Sequence, residues 1–311
     1  MTPRLSVRAA TFAGLLLLFL PTSESMLGGV QSVPGSPCIA RLDSSQFSNL
    51  VPSHDAWETL WTRAAEARTD PIAASRLADD LSVSEESVGV LAAYGVIATS
   101  RMAAIRTVGP SGAGGSVSTP HAVSEAILEA RDDLIRALPE AEFARVRSWV
   151  DGHLRSRPYT FVPLGRLVPS AAAGIRCHIS VTGREHPELI PEPFIWEAYF
   201  HVLSSVARVY VAGGAEYKPE NISVLQKHDL PISRADIQIV LEIALATNAR
   251  VEERRSLAGL GDNTARRLAI AQIVLDGRSQ LIRRLSKMSW LAVRRHANDG
   301  RAATIFDFPT F

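Results

Sequence analysis

The chain has 311 residues, of which 46% are hydrophobic, and its 33 Lys and Arg residues balance 32 Asp and Glu residues to a formal net charge of +1. This length accommodates one large domain or two of ordinary size. No block of like charge stands out, so composition predicts no nucleic-acid partner and no docking on an anionic membrane surface.

Residues 1–25 have the pattern of a secretory signal peptide: two arginines precede an apolar run from Ala9 to Leu20, and Pro21 ends it. The run is shorter than the roughly 20 residues that span a bilayer. We therefore expect an exported protein, periplasmic or extracellular, whose mature part begins near Met26. No later stretch looks long and apolar enough to span, so the mature part is expected to be soluble. A membrane becomes a partner only if the N-terminal segment is retained as an anchor.

The rest of the chain divides by pattern into an N-terminal arm (26–50), a helical segment (51–156), a linker with short β-prone runs (157–189) and a second helical segment (190–311). Within the first helical segment, Ser82 and Glu85 have the spacing of a capping box, and Ser84 is an alternative cap. Thr119-Pro120 is typical of a helix start, and Pro139 interrupts the helix that follows.

The second half repeats the first in three blocks of the same order. Cys38 to Trp61 aligns without a gap on Cys177 to Phe200, an offset of 139 residues that matches Trp57-Glu58 with Trp196-Glu197. Leu81 to Arg106 then aligns on Leu230 to Arg255 (offset 149), and Leu128 to Arg147 on Leu275 to Arg294 (offset 147). The sequence therefore predicts a mainly α fold of two tandem, internally duplicated helical units joined by a short extended or β-hairpin-like linker.

The two cysteines occupy matching positions at the start of each half. In an exported chain, two cysteines suggest one disulfide, so we predict a bond between Cys38 and Cys177. Two buried free thiols are the alternative. The strand-prone run from Cys38 to Leu42 is expected to pair with its counterpart, Cys177 to Val181.

Glu58 and Glu197 are the candidate acidic site residues, because each follows a matching Trp in the first turns of matching helices. Two facing carboxylates suit metal binding or acid/base work, and His201 shares a helix face with Glu197. An acid early in a helix also favours the macrodipole, which is the structural interpretation. The arginines Arg136 and Arg283 recur between apolar positions, and we expect their stems to cover the core while their heads are solvated.

No recognised catalytic or cofactor motif occurs: there is no HExxH, no GxSxG and no glycine-rich nucleotide fingerprint, and residues 221–223 match only a glycosylation sequon. No cofactor is predicted. The sequence favours an exported, non-enzymatic helical protein that binds an unidentified protein or small-molecule partner or plays a structural role. The alternative is a metal-dependent or acid/base enzyme with a site at the interface of the two repeats.

Overall fold

The structure is a computed structural model that describes residues 38–42, 44, 48–108, 119–155, 159–170, 174–212, 232–257 and 263–308. The predicted signal peptide, most of the arm, the sequon and the proposed cleavage region lie outside these residues. Their predictions are therefore untested by the fold.

The described chain is mainly helical, as the sequence predicts. The first half contains five helices among its described residues: α1 (His54–Ala67), α2 (Pro71–Leu81), α3 (Glu85–Val108), α4 (Thr119–Ala137) and α5 (Glu140–Arg155). The described residues of the second half form a 3₁₀ turn (Pro187–Leu189) and the helices α6 (Glu192–Ala212), α7 (Arg234–Ser256), α8 (Asn263–Arg284) and α9 (Lys287–Ala302).

The helix starts follow local capping chemistry, with one correction. Ser84 is the residue that caps α3, because its hydroxyl accepts from the Ser87 amide at 3.2 Å. The predicted capping box at Ser82 and Glu85 is wrong: Ser82 instead ends α2 in a left-handed conformation, with φ of 54°. Helix α2 itself was not predicted, although Asp70 caps it and Pro71 is its first residue.

Four strands occur in the described chain, in the order β1 (Cys38–Leu42), β2 (Tyr159–Ser170), β3 (Gly174–Thr182) and β4 (Ile305–Asp307), each antiparallel to its neighbour. The predicted pairing of Cys38–Leu42 with Cys177–Val181 is wrong, because β2 lies between β1 and β3. The C-terminal β4 pairs with β3 and joins the last described residues to the middle of the chain.

The helices pack as two groups that meet through α4 and α8. In the first group α1 lies against α3 and α4, and in the second α6 lies against α7 and α8. One continuous apolar core runs through both groups and includes Trp61, Phe200 and Trp290, each 1% exposed or less. The contact of α4 with α8 brings buried charged residues from both halves together at the centre of the molecule.

Candidate functional site

A buried cluster of four charged side chains lies where α4, α6 and α8 meet. Arg131 donates two hydrogen bonds to the two carboxylate oxygens of Glu192, at 2.6 and 2.8 Å. Arg278 donates to Oδ1 of Asp132, and its Nε lies 3.0 Å from Glu192. The side chains of Arg131, Asp132 and Arg278 are each 6% exposed or less. We call these four residues the central charge cluster.

The ion pairs of the cluster keep its acids charged, although burial favours their neutral forms. Burial favours the neutral form of both acids, but Arg131 and Arg278 outweigh it and hold the pKa of Glu192 and of Asp132 well below the usual range. Burial and the neighbouring Arg131 lower the pKa of Arg278. The four groups are mutually dependent, since removing one leaves its partner charged and desolvated.

A second layer of ion pairs surrounds the cluster and joins α4 to α9. Glu125 accepts from Arg294 at 2.7 Å and from Arg301 at 3.3 Å. Asn298 donates to the same carboxylate at 3.3 Å. Although burial opposes ionisation, the two arginines lower the pKa of Glu125.

Some ion pairs and hydrogen bonds between the two halves occur twice, between residues that the sequence alignment matches. Arg147 pairs with Asp276 at 2.8 Å, and its counterpart Arg294 approaches the counterpart of Asp276, Glu129, at 3.4 Å. Arg147 also donates to Gln272 and Arg294 to Glu125; these two acceptors lie just before the aligned block, at the same offset of 147 residues.

The two recurring arginines of the sequence make reciprocal contacts with the opposite half. Arg136 donates to the carbonyl of Ile282 and Arg283 to that of Leu138, both at 2.9 Å. The sequence analysis predicted that these guanidinium heads are solvated. In the structure each of them instead makes a hydrogen bond within the protein. Each guanidinium satisfies a carbonyl at the C-terminal end of the other half's helix, where cations are favoured.

The aromatic contacts also correspond. Trp57 stacks on Phe143 at 6.2 Å between centroids, and the matching Trp196 stacks on Trp290 at 5.6 Å. Arg278 lies over Trp196 and Trp290, at 5.5 and 5.2 Å from the ring centroids, so the charge cluster rests on the aromatic core of the second half.

The sequence-predicted acids are each held by an arginine of their own half. Glu58 accepts from Arg106 at 2.7 Å, and Glu197 accepts from Arg255, which the alignment matches to Arg106. Burial raises the pKa of Glu197 in spite of that arginine. His201 has interactions of its own, and no group of three or more metal-ligating side chains occurs in the described chain.

The two cysteines lie on strands that flank β2. Cys38 is opposite Gly165 of β2, and Cys177 is opposite Leu167. Their side chains lie outside the described part of the structure, and the disulfide stays a prediction.

Comparison with known proteins provides no relative from which a function could be inferred. No family model, no curated protein and no solved structure matches the chain. Sequence reasoning missed the central charge cluster, although the interruption of an apolar helix by Arg131-Asp132 was a signal for it.

The outer side of α3 forms an exposed apolar stripe, which we call the α3 face. Val96 is 40% and Ile97 is 51% exposed, and three small residues extend the stripe along the helix: Gly89, Ala93 and Ala104. The matching positions on α7 are Gln238, Glu242, Leu245, Ala246 and Glu253; three polar side chains replace the glycine and the two alanines, and Leu245, which replaces Val96, is half-buried.

Helix α3 also corrects the expectation that no later segment could span a membrane. By length and composition, Glu85–Thr107 is apolar enough to cross one, although 33% of its most apolar window is buried within the fold. The helix packs against α1 and α4 on its inner side. A helix that packs in the core of a soluble domain and leaves one apolar side uncovered has the same length and composition.

Proposed function

We propose that this chain is an internally duplicated, exported helical protein that performs no catalysis and binds a protein partner through the α3 face. The observation that carries the binding proposal is the difference between two matching helices. The outer side of α7 carries two glutamates and a glutamine where the α3 face carries glycine and alanine.

The duplication is supported by contacts made twice between matched residues. The arginine–carboxylate pairs of Arg147 and Arg294 correspond, as do the aromatic stacks of Trp57 and Trp196. Chance alignment of two alanine-rich helices does not require their long-range contacts to correspond. Because α4 and α8 meet each other, we infer an arrangement close to two-fold symmetry about that contact.

A partner surface explains why an exposed helix keeps an apolar outer side. Exposed valine and isoleucine beside small residues allow close approach of an apolar helix from another protein, which is a recurring mode of recognition. An enzyme built on Glu58 and Glu197 has less support. Each carboxylate is already engaged by an arginine, and ligation of a metal would have to displace it.

Photo-crosslinking in the exporting cell tests this proposal. A photoreactive residue replacing Ala93 is expected to give one discrete protein adduct. A probe at Ala246, the residue of α7 that aligns with Ile97 of α3, is expected to give no adduct.

The control is a substitution beside the probe. Ile97→Asp should abolish the adduct formed from position 93, whereas Ala246→Asp should leave it unchanged. Adducts to lipid alone, or an adduct insensitive to Ile97→Asp, would contradict binding of a protein at the α3 face.

A further inference from the structure

The exposed residues of α3 repeat with the spacing of a helix that pairs with another helix. Along its outer side they stand alternately four and three residues apart, as in the seam of a coiled coil: Gly89, Ala93, Val96, Ser100 and Ala103. Most are small, so a second helix can approach to about 8 Å between the two axes. Exposed Val96 and Ile97 add apolar surface at the middle of the helix.

The charges of α3 are segregated along its length. Its acids, Glu85 and Glu86, are the first two residues, and its bases, Arg101 and Arg106, lie in the last third. Both glutamates are exposed and form no ion pair with another residue that the structure describes.

The two arginines are engaged only in part. Arg106 pairs with Glu58 and Arg101 with Glu129, each through one nitrogen, and the two arginine side chains remain 51% and 52% exposed. A guanidinium has five N–H donors, and a surface pair of this kind contributes little stability. Both arginines can therefore accept a second carboxylate without losing the first.

These charges determine the direction in which two copies of α3 fit together. In an antiparallel pair centred near Val96, Glu85 and Glu86 of one copy lie beside Arg106 of the other. Two-fold symmetry makes this contact twice, once at each end of the pair. A parallel pair would instead bring the two acidic ends together. Two copies of α7 are unsuited to the same arrangement, because the exposed Glu242 lies near the middle of that helix and would meet its own copy.

We propose that the protein partner of the α3 face is a second copy of this chain, joined through an antiparallel α3–α3 pair. The inference rests on the proposed function, since it names the partner of the same face. A helix of 24 residues is about 36 Å long and about 10 Å wide. It covers about 360 Å² on each copy, less than half of the roughly 800 Å² of a standard interface. The dimer is therefore weak and dissociates on dilution.

Charge reversal in two separate variants of the full mature protein tests the proposal. Glu86→Arg and Arg106→Glu each place like charges at both ends of the pair. Each variant alone should therefore raise the dissociation constant at least about tenfold, because two attractive contacts become repulsive. Mixed in equal amounts, the two variants should form a heterodimer, because both contacts then join opposite charges. Sedimentation velocity and native mass spectrometry measure these species.

Two further variants guard against loss of folding. Arg106→Glu also breaks the pair with Glu58, so circular dichroism must show the helix content of the wild type. If it does not, Ile97→Asp provides an independent test, since it places two carboxylates close to the symmetry axis and should abolish the dimer. Its matched control on α7, Ala246→Asp, should leave the dimer unchanged.

The possible failures separate this proposal from the proposed function. A wild type that stays monomeric at concentrations up to about 1 mM, or charge variants that dimerise as well alone as when mixed, would overturn the second copy as partner. If the photoreactive residue at Ala93 then still captures a different protein in the exporting cell, the α3 face remains a protein-binding surface. The absence of any protein adduct would contradict both proposals.

Discussion

Asp132 illustrates how much a single buried charge matters at the centre of this molecule. Its carboxylate accepts from Arg278 and from Arg131, and all three side chains are buried. A buried ion pair contributes little net stability, but breaking one by removing a partner is costly. The cluster therefore constrains which pairs of α4 and α8 residues can meet.

Replacing Asp132 by Asn should destabilise the protein by about 3–5 kcal/mol, because two buried guanidinium groups lose the negative charge that they share. The neighbouring Asp133→Asn is the control. Asp133 is 39% exposed and pairs only loosely with Lys287, at 4.0 Å, so its change should stay within about 0.5 kcal/mol. Urea unfolding of both variants measures the difference, and equal effects would contradict the role given to Asp132.

Acid should destabilise the fold through the carboxylates whose pKa is lowered in the folded state. Asp132, Glu125 and Glu192 bind protons more weakly when folded, so their contribution is complete above the ordinary carboxyl pKa of about 4. It is lost as pH falls through the lower, folded pKa values. Tm should therefore fall below about pH 5.

Glu192→Gln separates this linkage from a general effect of acid. The variant is less stable at pH 7, but its Tm should depend less steeply on pH in the acid range, because one depressed pKa is gone. Parallel pH profiles for the wild type and the variant would show that Glu192 does not contribute to acid unfolding.

At the level of helices, two glycines of α3 distinguish its inner side from its outer side. A Cβ atom at Gly95 would lie 2.6 Å from the backbone nitrogen of Ala65, whereas one at Gly89 would meet nothing within 4 Å. Gly95→Ala should therefore destabilise the protein by about 1–3 kcal/mol through overpacking against α1. Gly89→Ala should stabilise it by about 0.5–1 kcal/mol through helix propensity. Chemical denaturation measures both, and a stabilising Gly95→Ala would contradict the packing of α3 on α1.

Helix existence was predictable wherever apolar residues repeat with helical period, as along α1 and α4. Helix α2 was missed although its apolar residues repeat with helical period; it is short, and only Leu77 and Leu81 of its side chains are buried. Strand β4 is three residues long and depends on pairing with β3. Of the two serines predicted as caps of α3, the alternative Ser84 is confirmed and Ser82 is wrong, because Ser82 ends α2 and stands only two positions before the cap.

For the whole molecule, the sequence alignment predicted which positions correspond between the halves but not which contacts join them. Arg147 and Arg294 recur in the alignment, yet their acceptors lie more than 120 residues away along the chain. The central charge cluster was harder to predict still. Asp132 and Glu192 are matched by serines, so the acids fall outside the repeat pattern on which the sequence analysis relied.

Export and disulfide formation are tested together by intact mass. The protein recovered from the exporting cell should lack residues 1–25 and should be two hydrogens lighter before reduction than after it, as expected for a bond between Cys38 and Cys177. Retention of the first 25 residues would instead indicate a membrane anchor. Two free thiols in the exported protein would contradict the disulfide.

The central claim is that two matching helical units meet through the same contacts used twice. Double-mutant cycles on the Arg147–Asp276 pair and on the matching Arg294–Glu129 pair test it directly, with Arg147 combined with the unrelated Glu242 as the control. Glu242 pairs with Arg284 instead. We expect favourable coupling of about 0.5–2 kcal/mol in both matched pairs and additivity in the control. Coupling in one pair alone, or in neither, would contradict the claim.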